Sequence, residues 1–191
     1  MQKRKIVLAS KSPRRKKLLE QIGLEFEIVE SNFDEDRVSL ADPIELAKFL
    51  ALKKAETVAA NYDDAIIIGA DSVVIFNNQP LGKPKDAVKA KEILRELSGK
   101  ENKAITGYAI IDTKNKIMVN NHGEAIVKFR NLSDEEINEY VKTGEPMEMA
   151  GGYGLMDRGA VLMEKITGDF YSVVGLPISE VYFELRKMGV I

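Results

Sequence analysis

Ile6-Val7-Leu8-Ala9-Ser10-Lys11-Ser12-Pro13-Arg14-Arg15 decides how this chain folds. Its first four residues are an unbroken apolar run, the mark of a strand covered on both faces. The next six carry two hydroxyls, a proline and two guanidiniums, and they open an amphipathic segment that closes at Gly23. A buried strand feeding directly into a helix is the opening of an α/β unit. The spacing predicts Ser12 as the helix cap and Pro13 in the first turn, where a missing N–H costs nothing. The same turn suits an anion, because free amide groups, the helix dipole and two arginine forks converge there. A capped helix with two solvated arginines is the alternative. The hexapeptide Ser10–Arg15 alone leaves both open.

Working outward, the strand signal recurs at Ala65-Ile66-Ile67-Ile68-Gly69-Ala70, which Asp71 closes. Val73 to Phe76 continues as strand, and Asn77-Asn78 is a turn signal. Phe26 to Glu30 alternates and reads as a further strand. Asp42-Pro43 starts a long helix with Leu46, Phe49, Leu50 and Val58 along one stripe. Asp86 to Ser98 reads as a helix stopped by Gly99, and Ser133-Asp134-Glu135-Glu136 as the capping box of another that ends at Gly144. Pro177 leads into a last helix reaching Met188. Ala104 to Asp112 and Lys116 to Arg130 are long strands joined at Lys114-Asn115. Leu155 to Ile166 reads as mostly strand, broken by Asp157-Arg158-Gly159.

Strands and helices thus alternate early and long strands cluster in the middle. This predicts an α/β fold with a mixed β-sheet flanked by helices. The hairpin-like middle is expected to form a second lobe, with a central cleft between the two. No repeat, low-complexity tract or linker divides residues 1–191, so a single domain is expected.

Composition narrows the chemistry. The chain has 191 residues, enough to bury a real core. Its 45% hydrophobic and 30% charged residues are those of a soluble globular protein. A net charge of −2 offers no global basic field, so no nucleic acid partner is expected and any anion site must be local. Cysteine is absent, which excludes disulfides, zinc–thiolate sites and a thiol nucleophile. The basic start Met1-Gln2-Lys3-Arg4-Lys5 precedes only a short apolar run, a first strand rather than a signal peptide. No run approaches the ~20 apolar residues that span a bilayer. No membrane partner is expected, and the expected location is the cytoplasm.

Asp71 is the strongest chemical candidate. A carboxylate directly after a buried strand lies at the strand's carboxyl end, the edge where open α/β sheets bind ligands. It suits a metal ligand or a general base for water; a turn residue is the alternative. Asp34, Glu35 and Asp36 offer oxygen ligands to a hard cation, or form a solvated acidic loop. Lys54 and Lys83 are candidate phosphate-binding point charges, or ordinary surface lysines. Gly151-Gly152-Tyr153-Gly154 permits close backbone approach but lacks the P-loop and dinucleotide spacings. His122, the only histidine, has no triad around it. Tyr153, Phe170 and Tyr171 offer faces to a base, or belong to a core. Anion clamps, carboxylates and permissive glycines together equip phosphoanhydride chemistry.

These pieces, in order, resemble the Maf proteins. The resemblance runs through Leu8 to Arg15, Gly69-Ala70-Asp71-Ser72, Leu81-Gly82-Lys83-Pro84 and Leu97-Ser98-Gly99. It continues through Ala150 to Gly154 and Gly168 to Pro177, covering essentially the whole chain. It implies a curved mixed sheet with a deep cleft, related to the inosine triphosphate pyrophosphatases. It implies hydrolysis of a nucleoside triphosphate to the monophosphate and pyrophosphate, aided by Mg²⁺ or Mn²⁺. By position, Ser10, Arg14, Arg15, Lys54 and Lys83 match phosphate contacts. Glu35 matches a metal-side carboxylate and Asp71 the proton acceptor. The branch resembling dTTP and UTP pyrophosphatases has an Arg that Arg14 matches, a Thr replaced here by Ser72 and a Gln replaced here by Met156. The branch resembling 7-methyl-GTP pyrophosphatases carries a Trp, and this chain has none. A homodimer is a family expectation. The alternative is a nucleotide-binding regulator of cell division, sensing without turnover.

Overall fold

The computed structural model describes residues 4–35, 38 and 40–191. Asp36 of the acidic loop falls outside them. Strand β1 (Ile6–Leu8) leads into helix α1 (Pro13–Gln21). There follow β2 (Glu27–Ile28), α2 (Pro43–Ala59), β3 (Ile66–Phe76), β4 (Gln79–Leu81) and α3 (Ala87–Leu97). After them come the long strands β5 (Glu101–Asp112) and β6 (Ile117–Phe129), then α4 (Asp134–Lys142), β7 (Met163–Gly168), α5 (Phe170–Val174) and α6 (Ile178–Lys187).

The strands form one mixed sheet in the order β2-β1-β3-β5-β6-β7, with β4 hydrogen-bonded to β3. Strand β1 is parallel to both β2 and β3, with Ile6 to Leu8 beside Ile66 to Ile68. Strands β4 and β7 are antiparallel to β3 and β6. The expected α/β class with a mixed sheet and helices is what the chain forms. Asn77 and Asn78 take φ of 50° and 59° between β3 and β4, as a two-residue hairpin turn of the left-handed type requires.

The chain divides into two compact units. The first comprises Met1–Asp71, Thr106–Gly123 and Gly175–Ile191; the second comprises Ser72–Ile105 and Glu124–Val174. In the first unit Val7, Ala9, Ala55, Val58, Ala65, Ile67 and Ala109 form a buried cluster. In the second, Leu94, Leu97, Val127 and Phe129 pack with Ile137, Tyr140 and Tyr153.

Helix α2 lies unusually close to the strands of the first unit. A β-carbon on Gly69 would stand 2.3 Å from the Ala51 carbonyl oxygen, and one on Gly107 2.3 Å from Ala47. The facing residues Ala47, Ala51 and Ala55 recur every four positions and are fully buried. Backbone meets backbone there because neither side carries more than a methyl group.

Two expected elements differ. Leu155 to Ile166 is not mostly strand: Arg158–Leu162 is a 3₁₀ helix, and only Met163 onward joins the sheet. Gly159 packs where a β-carbon would lie 2.2 Å from the Gly154 carbonyl oxygen, and Arg130 donates from its backbone N–H to Leu162 and from Nε to Val161. Those carbonyls are therefore met by one arginine rather than by a neighbouring strand. The second difference is at Phe26–Glu30, where only Glu27–Ile28 pairs.

Candidate active site

The Ser10–Arg15 turn is built differently from its sequence reading. Ser12 occupies the cap position of α1 and Pro13 its first turn, but the Ser12 side chain makes no capping bond. Ser10 instead bonds the cap residue itself: its Oγ accepts the Ser12 backbone N–H at 3.2 Å and Arg15 Nη1 at 3.1 Å. A hydroxyl whose oxygen accepts twice presents its hydrogen to any further partner. Arg15 is held again by Nε, which donates to the Gly175 carbonyl at 2.9 Å. Burial lowers the Arg15 pKa, and neighbouring Arg14 pushes the same way, while Asp71 and Glu35 oppose.

Asp71 is not at the end of its strand. It is the sixth residue of the eleven in β3, because Val74, Ile75 and Phe76 continue into pairing with β4. It stands instead beyond the point where parallel neighbour β1 stops, since β1 pairs β3 only as far as Ile68. Open α/β sheets favour ligands at such an edge, here the carboxyl end of β1, and Asp71 lies past it on the longer strand.

Lys54 comes down from α2 onto this carboxylate. Its Nζ donates to Asp71 Oδ1 at 2.6 Å and pairs with Glu35 Oε1 at 2.8 Å. It is no solvated surface lysine, for its side chain is only 11% exposed. Helix α2 starts as read: Asp42 accepts the N–H groups of Ile44 and Glu45, and Pro43 sits in the first turn. Glu35 is carried by a loop whose Phe33 ring packs edge-on against Phe49 of α2, centroids 6.4 Å apart. Burial raises the Asp71 pKa; Lys54 and Arg15 pull it down, and Glu35 raises it further.

The first unit therefore gathers Ser10, Arg15, Glu35, Lys54 and Asp71, with Arg14 beside Arg15. Two carboxylates converging on one ammonium form a donor set that suits a hard cation. Among the described residues no group of three or more His, Asp or Glu gathers around a common point. Mg²⁺ is commonly held by one or two carboxylates together with phosphate oxygens and water. Asp34, one residue from Glu35, is exposed.

Of the remaining candidates, all but His122 lie in the second unit. Ser72 follows Asp71 on β3. Lys83 is exposed and pairs loosely with Glu148 at 3.8 Å. Its loop is shaped by the Gly151 N–H, which donates to the Gly82 carbonyl. Gly151 has φ of 72°, and a β-carbon there would meet Val74 and Tyr153, so this glycine serves packing. Tyr153 is core: its ring packs edge-on against Phe129, and its hydroxyl donates to Asn102 at 2.6 Å. Met156 is exposed, as is Phe170, which packs edge-on against Tyr171. His122 is partly buried on β6.

Three contributors had little or no sequence signal. The Gly175 carbonyl is a backbone acceptor that no residue type announces. Gly107 and the Phe33–Phe49 contact become visible only with the packing. Gly69 did carry a signal, a lone glycine inside a strand pattern, which marks close backbone approach.

The family model described as Maf-like protein matches residues 5–188. A dTTP/UTP pyrophosphatase of Dictyoglomus turgidum is 44% identical over 188 residues, covering 98% of this chain and 97% of that protein. A dTTP/UTP pyrophosphatase of Bacillus cytotoxicus is 42% identical over 184 residues, covering 96% and 95%. Among solved structures, the Ham1 protein of Staphylococcus aureus overlays with a TM-score of 0.47 at 15% identity, covering 66% of this chain and 72% of that one.

Proposed function

This chain belongs to the Maf-like protein family, and we propose that it hydrolyses dTTP and UTP to the monophosphate and pyrophosphate. The observation that carries the reading is the Lys54 bridge between Asp71 and Glu35, with Arg15 beside it. The names of the close relatives support the substrate class.

Attack of water on the α-phosphorus needs a proton acceptor and a means of holding the departing pyrophosphate. Asp71 is the acceptor: burial strengthens it as a base, while Lys54 and Arg15 keep it ionised. Arg15 is fixed in place by Ser10 and Gly175, so its fork meets phosphate oxygens without reordering. Ser10 offers its hydroxyl hydrogen to the same chain of phosphates. Lys54 is a point charge for the leaving group. Electrostatic positioning of this kind supplies most of the catalysis in phosphoryl transfer. Glu35 and Asp71 would hold Mg²⁺ or Mn²⁺, which supplies charge neutralisation on the phosphates when bound.

The test is pyrophosphate release from a panel of nucleoside triphosphates with Mg²⁺ or Mn²⁺. Turnover of dTTP and UTP above the purine nucleotides supports the reading. Nucleotide binding with no turnover of any triphosphate replaces it with a sensor. Asp71→Asn should retain nucleotide affinity and lose about 10²- to 10⁴-fold in kcat, the usual contribution of a positioned base. Full turnover by that variant removes Asp71 from the role.

A further inference from the structure

The Lys54 ammonium stands where a cation held by Glu35 and Asp71 would stand. It is 2.8 Å from one carboxylate and 2.6 Å from the other. Each of these carboxylates makes an ion pair with Lys54. The Lys54 and Asp71 side chains are 11% and 12% exposed, so solvent ions screen that contact little, and Glu35, 45% exposed, is the solvent-facing partner.

Resting on the phosphate chemistry above, the structure assigns Lys54 a second role. It is the resident counter-ion of the Glu35–Asp71 pair, and it keeps a free divalent cation out until a triphosphate draws the ammonium away. A divalent ion on those oxygens would lie at contact distance from the ammonium, where like charges repel strongly. The formal charges of Asp71, Glu35, Lys54 and Arg15 cancel, so these four groups together hold little net attraction for a free cation. A triphosphate changes both conditions. Its oxygens accept the Lys54 donors, releasing the carboxylate oxygens, and its negative charge draws the metal in. Lysine suits this exchange because a compact ammonium on a flexible four-carbon stem can change partners, whereas a planar arginine fork is bound to one geometry. The metal therefore enters with the nucleotide or after it.

Mn²⁺ binding to the nucleotide-free protein tests this without reference to turnover. It is followed by the electron paramagnetic resonance signal of free Mn²⁺ at mildly alkaline pH. Lys54→Met should bind Mn²⁺ on the order of tenfold tighter than the wild type, because a like charge at contact distance is gone. Lys54→Arg, which keeps the charge, should bind as weakly as the wild type. Adding Glu35→Gln to Lys54→Met should abolish the gain. If Lys54→Met fails to fold by circular dichroism, Lys54→Gln replaces it with the same expectation. Equal or weaker Mn²⁺ binding by the neutral variants overturns the proposal. Nucleotide turnover by the wild type is measured in parallel. Tighter Mn²⁺ binding in the neutral variants without wild-type turnover sinks the enzyme reading and upholds the counter-ion. Turnover with unchanged Mn²⁺ affinity does the reverse.

Discussion

Arg15 Nε donates to the backbone carbonyl of Gly175 at 2.9 Å, joining residues 160 apart in the chain. With Nη1 on Ser10, the guanidinium is fixed on two sides before any ligand arrives. Its orientation is therefore a property of the fold, and its charge reaches Asp71 from a constant position. That constancy gives Arg15 a measurable effect on the base.

The acid limb of the pH profile should report it. Asp71 must be ionised to accept a proton, so kcat/KM falls as pH drops through its pKa. Burial places that pKa above the ordinary 3.8, with Lys54 and Arg15 holding it down and Glu35 holding it up. Arg15→Gln removes an opposite charge, so the limb moves to higher pH. Glu35→Gln removes a like charge, so it moves to lower pH. Rate profiles from about pH 4 to 9 in steady-state pyrophosphate release check both directions. Shifts of the same sign would show that the limb belongs to another group.

Gly69→Ala should loosen the site without touching a charged residue. Its new methyl would stand 2.3 Å from the Ala51 carbonyl oxygen and 2.9 Å from the Ala55 β-carbon. Helix α2 must move outward, carrying Lys54 away from Asp71. Overpacking of this kind costs about 1–3 kcal/mol, readable in urea unfolding. The kcat should fall further than the lost stability explains, because the folded fraction at room temperature remains high.

Acid should weaken the far end of the first unit through Asp112. This buried carboxylate bonds Arg4 and both the backbone and side chain of Asn115. Burial works against its charge, but these bonds outweigh it and hold the pKa down at about 2. A depressed carboxylate contributes stability that is fully present above its unfolded pKa and lost as pH falls through the folded one. The window here is from about pH 4 to 2, and the contribution is roughly 1–2 kcal/mol. Asp112→Asn should be less stable than the wild type at neutral pH by about that amount. The difference should close at acid pH in denaturant titrations.

Met156→Gln should sharpen base selection. The exposed Met156 stands where the resembled dTTP/UTP branch has an amide, and a thioether cannot match its donors and acceptor. One added hydrogen bond is worth about 1 kcal/mol. The ratio of kcat/KM for dTTP over dATP should rise several-fold, measured by pyrophosphate release. An unchanged ratio would remove Met156 from the base-reading residues.

Legibility of the sequence followed locality. Asp42-Pro43, the Ser133/Glu136 capping box and the Asn77-Asn78 turn are set by neighbours a few residues away, and each forms as read. Where the outcome depended on distant partners, pattern was insufficient. Ser12 holds the cap position without a side-chain capping bond, while the Ser10 oxygen takes the Ser12 N–H and Arg15, contacts that no spacing announces. The 158–162 segment has strand-like residues, yet Arg130 takes its carbonyls. For the site, Arg15, Lys54 and Asp71 were readable as residue types suited to phosphate. Their mutual contacts were not, because Lys54 is set by how deeply α2 sinks onto Gly69 and Gly107.

That contact has an entropic side. Glycine and alanine have no side-chain rotamers, so docking α2 through Ala47, Ala51, Ala55, Gly69 and Gly107 freezes no side-chain torsion. It also leaves no torsion to be thermally excited once the helix is seated. Along this stripe α2 is registered by backbone and methyl groups, and warming blurs the height of Lys54 above Asp71 less than a leucine-packed stripe would allow. The residues that keep the charged pair aligned are those with no chemistry of their own.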